Sequence, residues 1–211
     1  MTESAAQALT ILRQGAETFQ WYVIPLLAFI FYVYTVEVEK RNWNLVLAGL
    51  AFWGMDWFNE IWNSLVLHFS GYAPVWAAPG KTALLILVGL NIEIMFMFAV
   101  SGVIWSKMLL PKPQDRILGI PNRWFIALAG SAFCVFVEYL LNSAGALTWD
   151  YPWWNRGAPL LIFLFGYLTF FVVAFWVFDM RQLKSKLITV GSIWAFDILA
   201  LVLFIPVLGW I

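Results

Sequence analysis

The chain is poor in the residues on which disulfide-rich and metal-dependent proteins rely. One cysteine in 211 residues excludes an internal disulfide framework. One histidine beside that one cysteine argues against a zinc site, and no metal is expected. Charged residues make up only 11% of the chain, where an ordinary soluble domain has about a quarter. Twelve basic and twelve acidic residues cancel, so no net charge directs the protein to nucleic acid or to acidic partners. G-x-S-x-G, H-E-x-x-H and a phosphate-cradling glycine loop are all missing, which removes the corresponding hydrolase, metalloprotease and nucleotide-binding classes. No cofactor is implied.

What is abundant is apolar: 63% of the residues are hydrophobic and 19% aromatic. Several runs reach the roughly 20 residues that a helix needs to cross a bilayer. Hydropathy predicts an all-α polytopic membrane bundle, one integral membrane domain over 1–211, with about six transmembrane helices at 21–36, 44–68, 82–106, 123–145, 158–178 and 187–209. Loops one, three and five carry Lys40, Arg41, Lys107, Lys112, Arg116, Arg123, Arg181, Lys184 and Lys186, against Arg13, Lys81 and Arg156 on the other side. That asymmetry predicts cytoplasmic odd loops and both termini on the outer side. Residues 5–19 form a weakly amphipathic stretch expected on the outer surface, and the first 20 residues do not read as a signal peptide. Trp21, Trp43, Trp76, Trp105, Trp124 and Trp210 fall near span ends and read as interfacial anchors.

Five acids lie inside these spans, Asp56, Glu60, Glu93, Glu138 and Asp197, with no Lys or Arg at comparable depth. An ionised group at a helix centre costs roughly 2.5–3.5 kcal/mol on insertion scales. Asn or Ser would cement helices at lower cost, so the acids point to chemistry, in a shared polar cavity. Asp56, Glu60 and Asn63 recur along one stripe, as do Ser131, Glu138 and Asn142. Asn91 and Glu93 fall near the middle of span three, and Trp194 stands one turn before Asp197. The cavity is expected to open outward near the loop 149–155. Trp53, Trp57, Trp62 and Trp194 are expected to line it with Asn63, Asn91 and Asn142. Buried acids beside aromatic faces suit proton-initiated chemistry on an alkene or epoxide, because indole faces stabilise a carbocation without attacking it. The expected partners are a lipid-soluble small-molecule substrate and membrane lipids.

The segment 42–65, with Trp53-Gly-Met-Asp-Trp-Phe-Asn-Glu60-Ile-Trp62 at its centre, resembles the second span of the small integral-membrane terpene cyclases of meroterpenoid pathways. Trp194-Ala-Phe-Asp197-Ile-Leu199 resembles their last span. The resemblance implies metal-free cyclisation of a prenyl epoxide or olefin, with Glu60 as general acid and Asp197 as partner carboxylate. A looser similarity in pattern is to emopamil-binding-type sterol isomerases and carotenoid hydratases. Two other classes fit the same acids: a proton-coupled transporter or channel for a small or lipophilic cation, and a non-catalytic subunit of a membrane complex. Absence of a visible internal repeat weighs against the transporter.

Overall fold

The computed structural model describes residues 1–14 and 19–211. Part of the expected amphipathic stretch, residues 15–18, lies outside the described residues. Seven helices account for most of what is described: α1 Glu3–Ile11, α2 Val23–Glu39, α3 Trp43–Ser70, α4 Ile92–Lys107, α5 Asn122–Ser143, α6 Pro159–Asp179 and α7 Leu183–Val207. Helices α5, α6 and α7, of 22, 21 and 25 residues, are long and apolar enough to cross a membrane. Helix α3 has the length, at 28 residues, but carries Asp56 and Glu60 in its interior. Helices α2 and α4, at 17 and 16 residues, fall short of the usual span.

The sequence expectation departs furthest from the structure at 82–106, which is not one continuous helix. Residues 82–91 form an irregular segment ending in a small antiparallel hairpin, β1 Leu85–Leu87 with β2 Leu90–Asn91. Helix α4 starts only after it, capped by the Asn91 side chain, whose Oδ1 accepts from Ile94 N at 2.8 Å. The run Leu84–Leu90 is apolar because it is core: Leu85, Leu87, Val88 and Leu90 are buried beneath α1 and against α3. A short apolar run reads the same for a buried strand as for a helix. Asn91 and Glu93 therefore sit at the start of a helix, not at mid-span.

Helix α3 is the central element and packs on α4, α6 and α7. Its crossing with α4 is set by two glycines, since a Cβ on Gly102 would come within 2.9 Å of Gly49 Cα. Phe52, Phe98, Phe170 and Phe171 interlock beside this crossing.

The helix ends gather into two rims. At one rim, Lys107 pairs with buried Glu37 at 2.6 Å and Arg123 with Asp179 at 2.8 Å. Buried Lys186 donates from Nζ to the carbonyls of Val177 (2.9 Å) and Phe178, capping that stretch of α6. A second hairpin, β3 Arg116–Ile117 with β4 Ile120–Pro121, turns here through Leu118 and Gly119, at φ 50° and 82°. The odd-numbered, basic loops all lie at this rim. At the other rim, α1, the 71–91 segment and the 144–158 loop form a cap, tied by an Ala77–Thr148 bridge and by Ser4 and Thr2 hydroxyls on Asp150. Both termini lie there, as Thr2 N donates to Tyr72 O and Trp210 stacks on His68.

Candidate functional site

Helix α3 places Asp56 and Glu60 one turn apart on its buried face, 2% and 3% exposed. Trp76, from the cap, reaches down so that its indole N–H donates to Glu60 Oε1 at 2.8 Å. Trp76 is itself held by Asn63, another turn along α3. The Asn63 carbonyl oxygen accepts from Val75 N and Trp76 N at 2.7 and 3.2 Å, and its amide donates to Trp76 O at 2.8 Å. Asn63 thus orients the tryptophan that orients the acid. Space for this arrangement depends on Gly89: a Cβ there would lie within 2.6 Å of Glu60 Oε2 and 2.5 Å of both Asn63 Nδ2 and Trp76 Nε1.

Helix α5 repeats the device. Glu138, 4% exposed, accepts at Oε1 from the indole N–H of Trp149 at 3.0 Å, and Tyr167 of α6 also hydrogen-bonds the carboxyl. Glu60 and Glu138 are close enough to interact electrostatically, and Asp56 interacts with both Glu60 and Asp197. Tyr167 stands on a π-helical stretch, Ile162–Leu168, whose irregular carbonyls at Phe165 and Gly166 are taken up by the Asn59 side chain of α3.

These groups enclose a cavity of about 130 Å³. Asp56, Glu60 and Glu138 supply its polar wall, and Trp76, Trp105, Trp154, Phe98, Phe133 and Tyr167 most of its aromatic one. Trp76 and Trp154 stack at 5.6 Å over its end, both buried, so the 149–155 loop closes that end where an outward opening was expected. Lys, Arg and His are absent from the lining among the described residues. No three His, Cys, Asp or Glu among them converge as metal ligands would.

The structure brings together three of the five expected acids at the cavity and leaves Asp197 off its lining, in electrostatic reach of Asp56 and wholly buried, with neither oxygen hydrogen-bonded among the described residues. Glu93 stands apart. It accepts from Thr82 Oγ1, Ala83 N and the Tyr22 hydroxyl, fastening the start of α4 to the segment before it. The expected tryptophan wall also lies elsewhere. Trp53 packs edge-on against Trp194 at 5.0 Å, Trp194 donates to Leu50 O, and Trp57 packs with Ile61, Leu87 and Ala200; none of the three lines the cavity. Trp62 is 42% exposed and tilts over Trp76. Asn142 fastens the cap through Leu147 O and Arg156. Trp76, Trp105, Trp154, Tyr167 and Gly89 line the cavity and Trp149 holds Glu138; none of them was expected at the site from the sequence. Trp76 and Trp105, expected as interfacial anchors, line the cavity instead, while Trp21, Trp43 and Trp124 are exposed.

A helical bundle with apolar outer helices around buried carboxyls defines a membrane protein with an internal polar site. Residues 2–206 match a family described as an uncharacterized membrane protein family, and the chain belongs to it. A protein of Archaeoglobus fulgidus, described as uncharacterized, is 53% identical over 210 residues, which is all of this chain and 99% of the relative. A second, much shorter uncharacterized protein of the same organism is 49% identical over 53 residues, a quarter of this chain and 95% of its own length. No solved structure matches.

Proposed function

We propose that the chain is a multi-pass membrane enzyme that transforms an isoprenoid-type lipid by acid catalysis. Helices α2 to α7 make the six crossings, with the basic rim cytoplasmic and both termini on the outer side. Collection of the odd loops' basic residues at one rim, opposite both termini, supports that orientation. Two carboxyls facing one aromatic cavity, each held at one oxygen by an indole N–H, carry the functional conclusion.

Glu60, protonated, adds its proton to one carbon of a substrate double bond: a C–H bond forms, the π bond breaks, and the neighbouring carbon becomes cationic. The faces of Tyr167, Trp105 and Phe98 stabilise that cation through their quadrupoles. The carboxylate of Glu138 then removes a proton from an adjacent carbon and a double bond is restored, so the net change is isomerisation or cyclisation with no oxidant or reductant. Return of the proton from Glu138 to Glu60 resets the site. Capture of the cation by water would give hydration instead.

The test is mass spectrometry of lipid extracts from cells expressing wild type, Glu60→Gln or Glu138→Gln. One species made only by wild type, with its precursor accumulating in both variants, is the expected result. Identical profiles from three folded proteins would overturn the reading.

A second reading draws on the series Asp197, Asp56, Glu60 and Glu138, which runs from α7 through α3 to α5 in mutual electrostatic contact. Such a series suits a proton relay in a cation transporter. Proton-driven uptake of a lipophilic cationic dye into vesicles, lost in Asp56→Asn, would favour it over catalysis.

A further inference from the structure

Helices α4 and α5 follow one another in the chain yet barely touch. Helix α4 packs on α2 and α3, and α5 packs on α6, so a gap remains between them. Its two walls are facing stripes, Met97, Ser101 and Trp105 on α4 and Phe133, Val137 and Leu141 on α5, each stepping by one helical turn. All six line the cavity that holds Glu60 and Glu138. Met97 and Phe133 are 41% and 55% exposed, so the cavity reaches the outer surface of the bundle between them. Trp105 and Phe133 meet edge to face at 5.9 Å and form the sill nearer the basic rim.

The surface around this mouth is hydrocarbon-like. Ile104, Phe136 and Leu140 are exposed beside it, and neither 94–106 nor 124–137 contains a charged residue. A mouth in such a surface, on a chain of a membrane protein family, opens to acyl chains rather than water. The far end is closed by the Trp76–Trp154 stack and by Gly89. The interior holds carboxyls and no cation among the described residues, so a phosphate or carboxylate head would lose its hydration there and find no counter-charge.

We propose that a neutral long-chain olefin reaches the carboxyl pair sideways from the bilayer, through the gap between α4 and α5, reacting end first and tail left in the hydrocarbon. The nature of the reaction rests on the acid-catalysis reading; the route and the neutrality of the leading end do not. A prenyl diphosphate, led by its charged head, is excluded as the occupant. An anionic phospholipid led by its headgroup is excluded for the same reason.

Two probes in phosphatidylcholine vesicles test this. Cys134, the one cysteine of the chain, lines the cavity beside the mouth, so a bimane fluorophore attached there reports what reaches it. Quenching by a nitroxide on a lipid acyl chain, but not by a charged water-soluble nitroxide, is expected. The reverse pattern overturns the route. The second probe is geranylgeraniol carrying a photoactivatable diazirine at its ω end, the end expected to lead. It should label peptides bearing Trp76 or Trp154, and unlabelled geranylgeraniol should compete while geranylgeranyl diphosphate should not. Ser101→Trp and Val137→Trp, wedges from opposite helices, should each abolish that labelling; two are used so that a misfolded variant leaves the other to decide. Labelling undiminished in a folded wedge variant, or competition by the diphosphate, overturns the proposal. Labelling that persists while Glu60→Gln leaves lipid profiles unchanged would uphold the route and sink the catalytic reading. Product formation with no labelling inside the cavity would do the opposite.

Discussion

The indole N–H of Trp76 donates to Oε1 of Glu60 at 2.8 Å, while Oε2 of the same carboxyl is left without a hydrogen bond of that geometry among the described residues. One oxygen is fixed by the indole, and the other is buried beside Gly89. Trp149 likewise donates to one oxygen of Glu138 at 3.0 Å, and Tyr167 hydrogen-bonds that carboxyl as well. Phenylalanine at 76 would keep a ring against Trp154 and lose only the donor. Trp76→Phe is expected to cost about 1–3 kcal/mol of unfolding free energy, since a buried charged or polar group loses its partner. It should also lower product formation without abolishing it. Full activity with an unchanged Tm would show that the bond does nothing for the acid.

Gly89 gives a sharper steric test. Its missing side chain leaves room for three polar atoms, Glu60 Oε2, Asn63 Nδ2 and Trp76 Nε1, within 2.6 Å of where a Cβ would stand. Gly89→Ala must push that network apart, at a cost of about 1–3 kcal/mol for overpacking. Gly191, inside α7, has nothing within 4 Å of its would-be Cβ. There an alanine should stabilise by about 1 kcal/mol through helix propensity alone. Thermal unfolding in detergent reads both, and similar Tm changes for the two would refute the crowding at Gly89.

Glu93 and Glu60 both read in the sequence as acids inside apolar spans facing one cavity, and the structure separates them. The Glu93 carboxyl accepts from the Tyr22 and Thr82 hydroxyls and from Ala83 N, all of them groups that fasten the start of α4. Glu93→Gln is expected to lower Tm while leaving the lipid profile of surviving protein intact. Glu60→Gln should lose the about 10²–10⁴-fold that a general acid contributes, with little change in Tm. Loss of product in a well-folded Glu93→Gln would return that acid to the site.

Helices carrying acids on a regular stripe were legible because α-helical spacing alone puts Asp56, Glu60 and Asn63 on one face. Ends of α5 and α6 fell within two residues of where polar breaks put them. The segment 82–91 was not legible, since an apolar run without charge carries no sign of whether hydrogen bonds close within a helix or with a neighbouring strand. Trp76 was misread for a related reason. Proximity to a span end is the signature of an interfacial anchor, and only the Asn63 contacts, twelve and thirteen residues back along the chain, turn that loop inward. Trp53, Trp57 and Trp194 each stand one turn before an acid in the sequence, but helical spacing does not say which neighbouring helix a ring will meet. Their rings go to helix packing while tryptophans from the cap take the cavity.

Asp197 is 0% exposed and neither of its oxygens has a hydrogen-bond partner among the described residues. A carboxyl in that position contributes no bond to the fold, and its desolvation opposes folding. Packing alone would be better served by an apolar group, as replacing buried polar groups by hydrophobic ones is often neutral or stabilising. Asp197→Val is therefore expected to hold or raise Tm, by an amount equivalent to about 1–3 kcal/mol. Its cost should appear in function, because Asp197 acts on Asp56 electrostatically and through it on Glu60. A stabilised protein that no longer changes the lipid profile would identify the acid as retained for chemistry. A destabilised one with normal product would make it a packing residue and cut it from the series that joins α7 to the cavity.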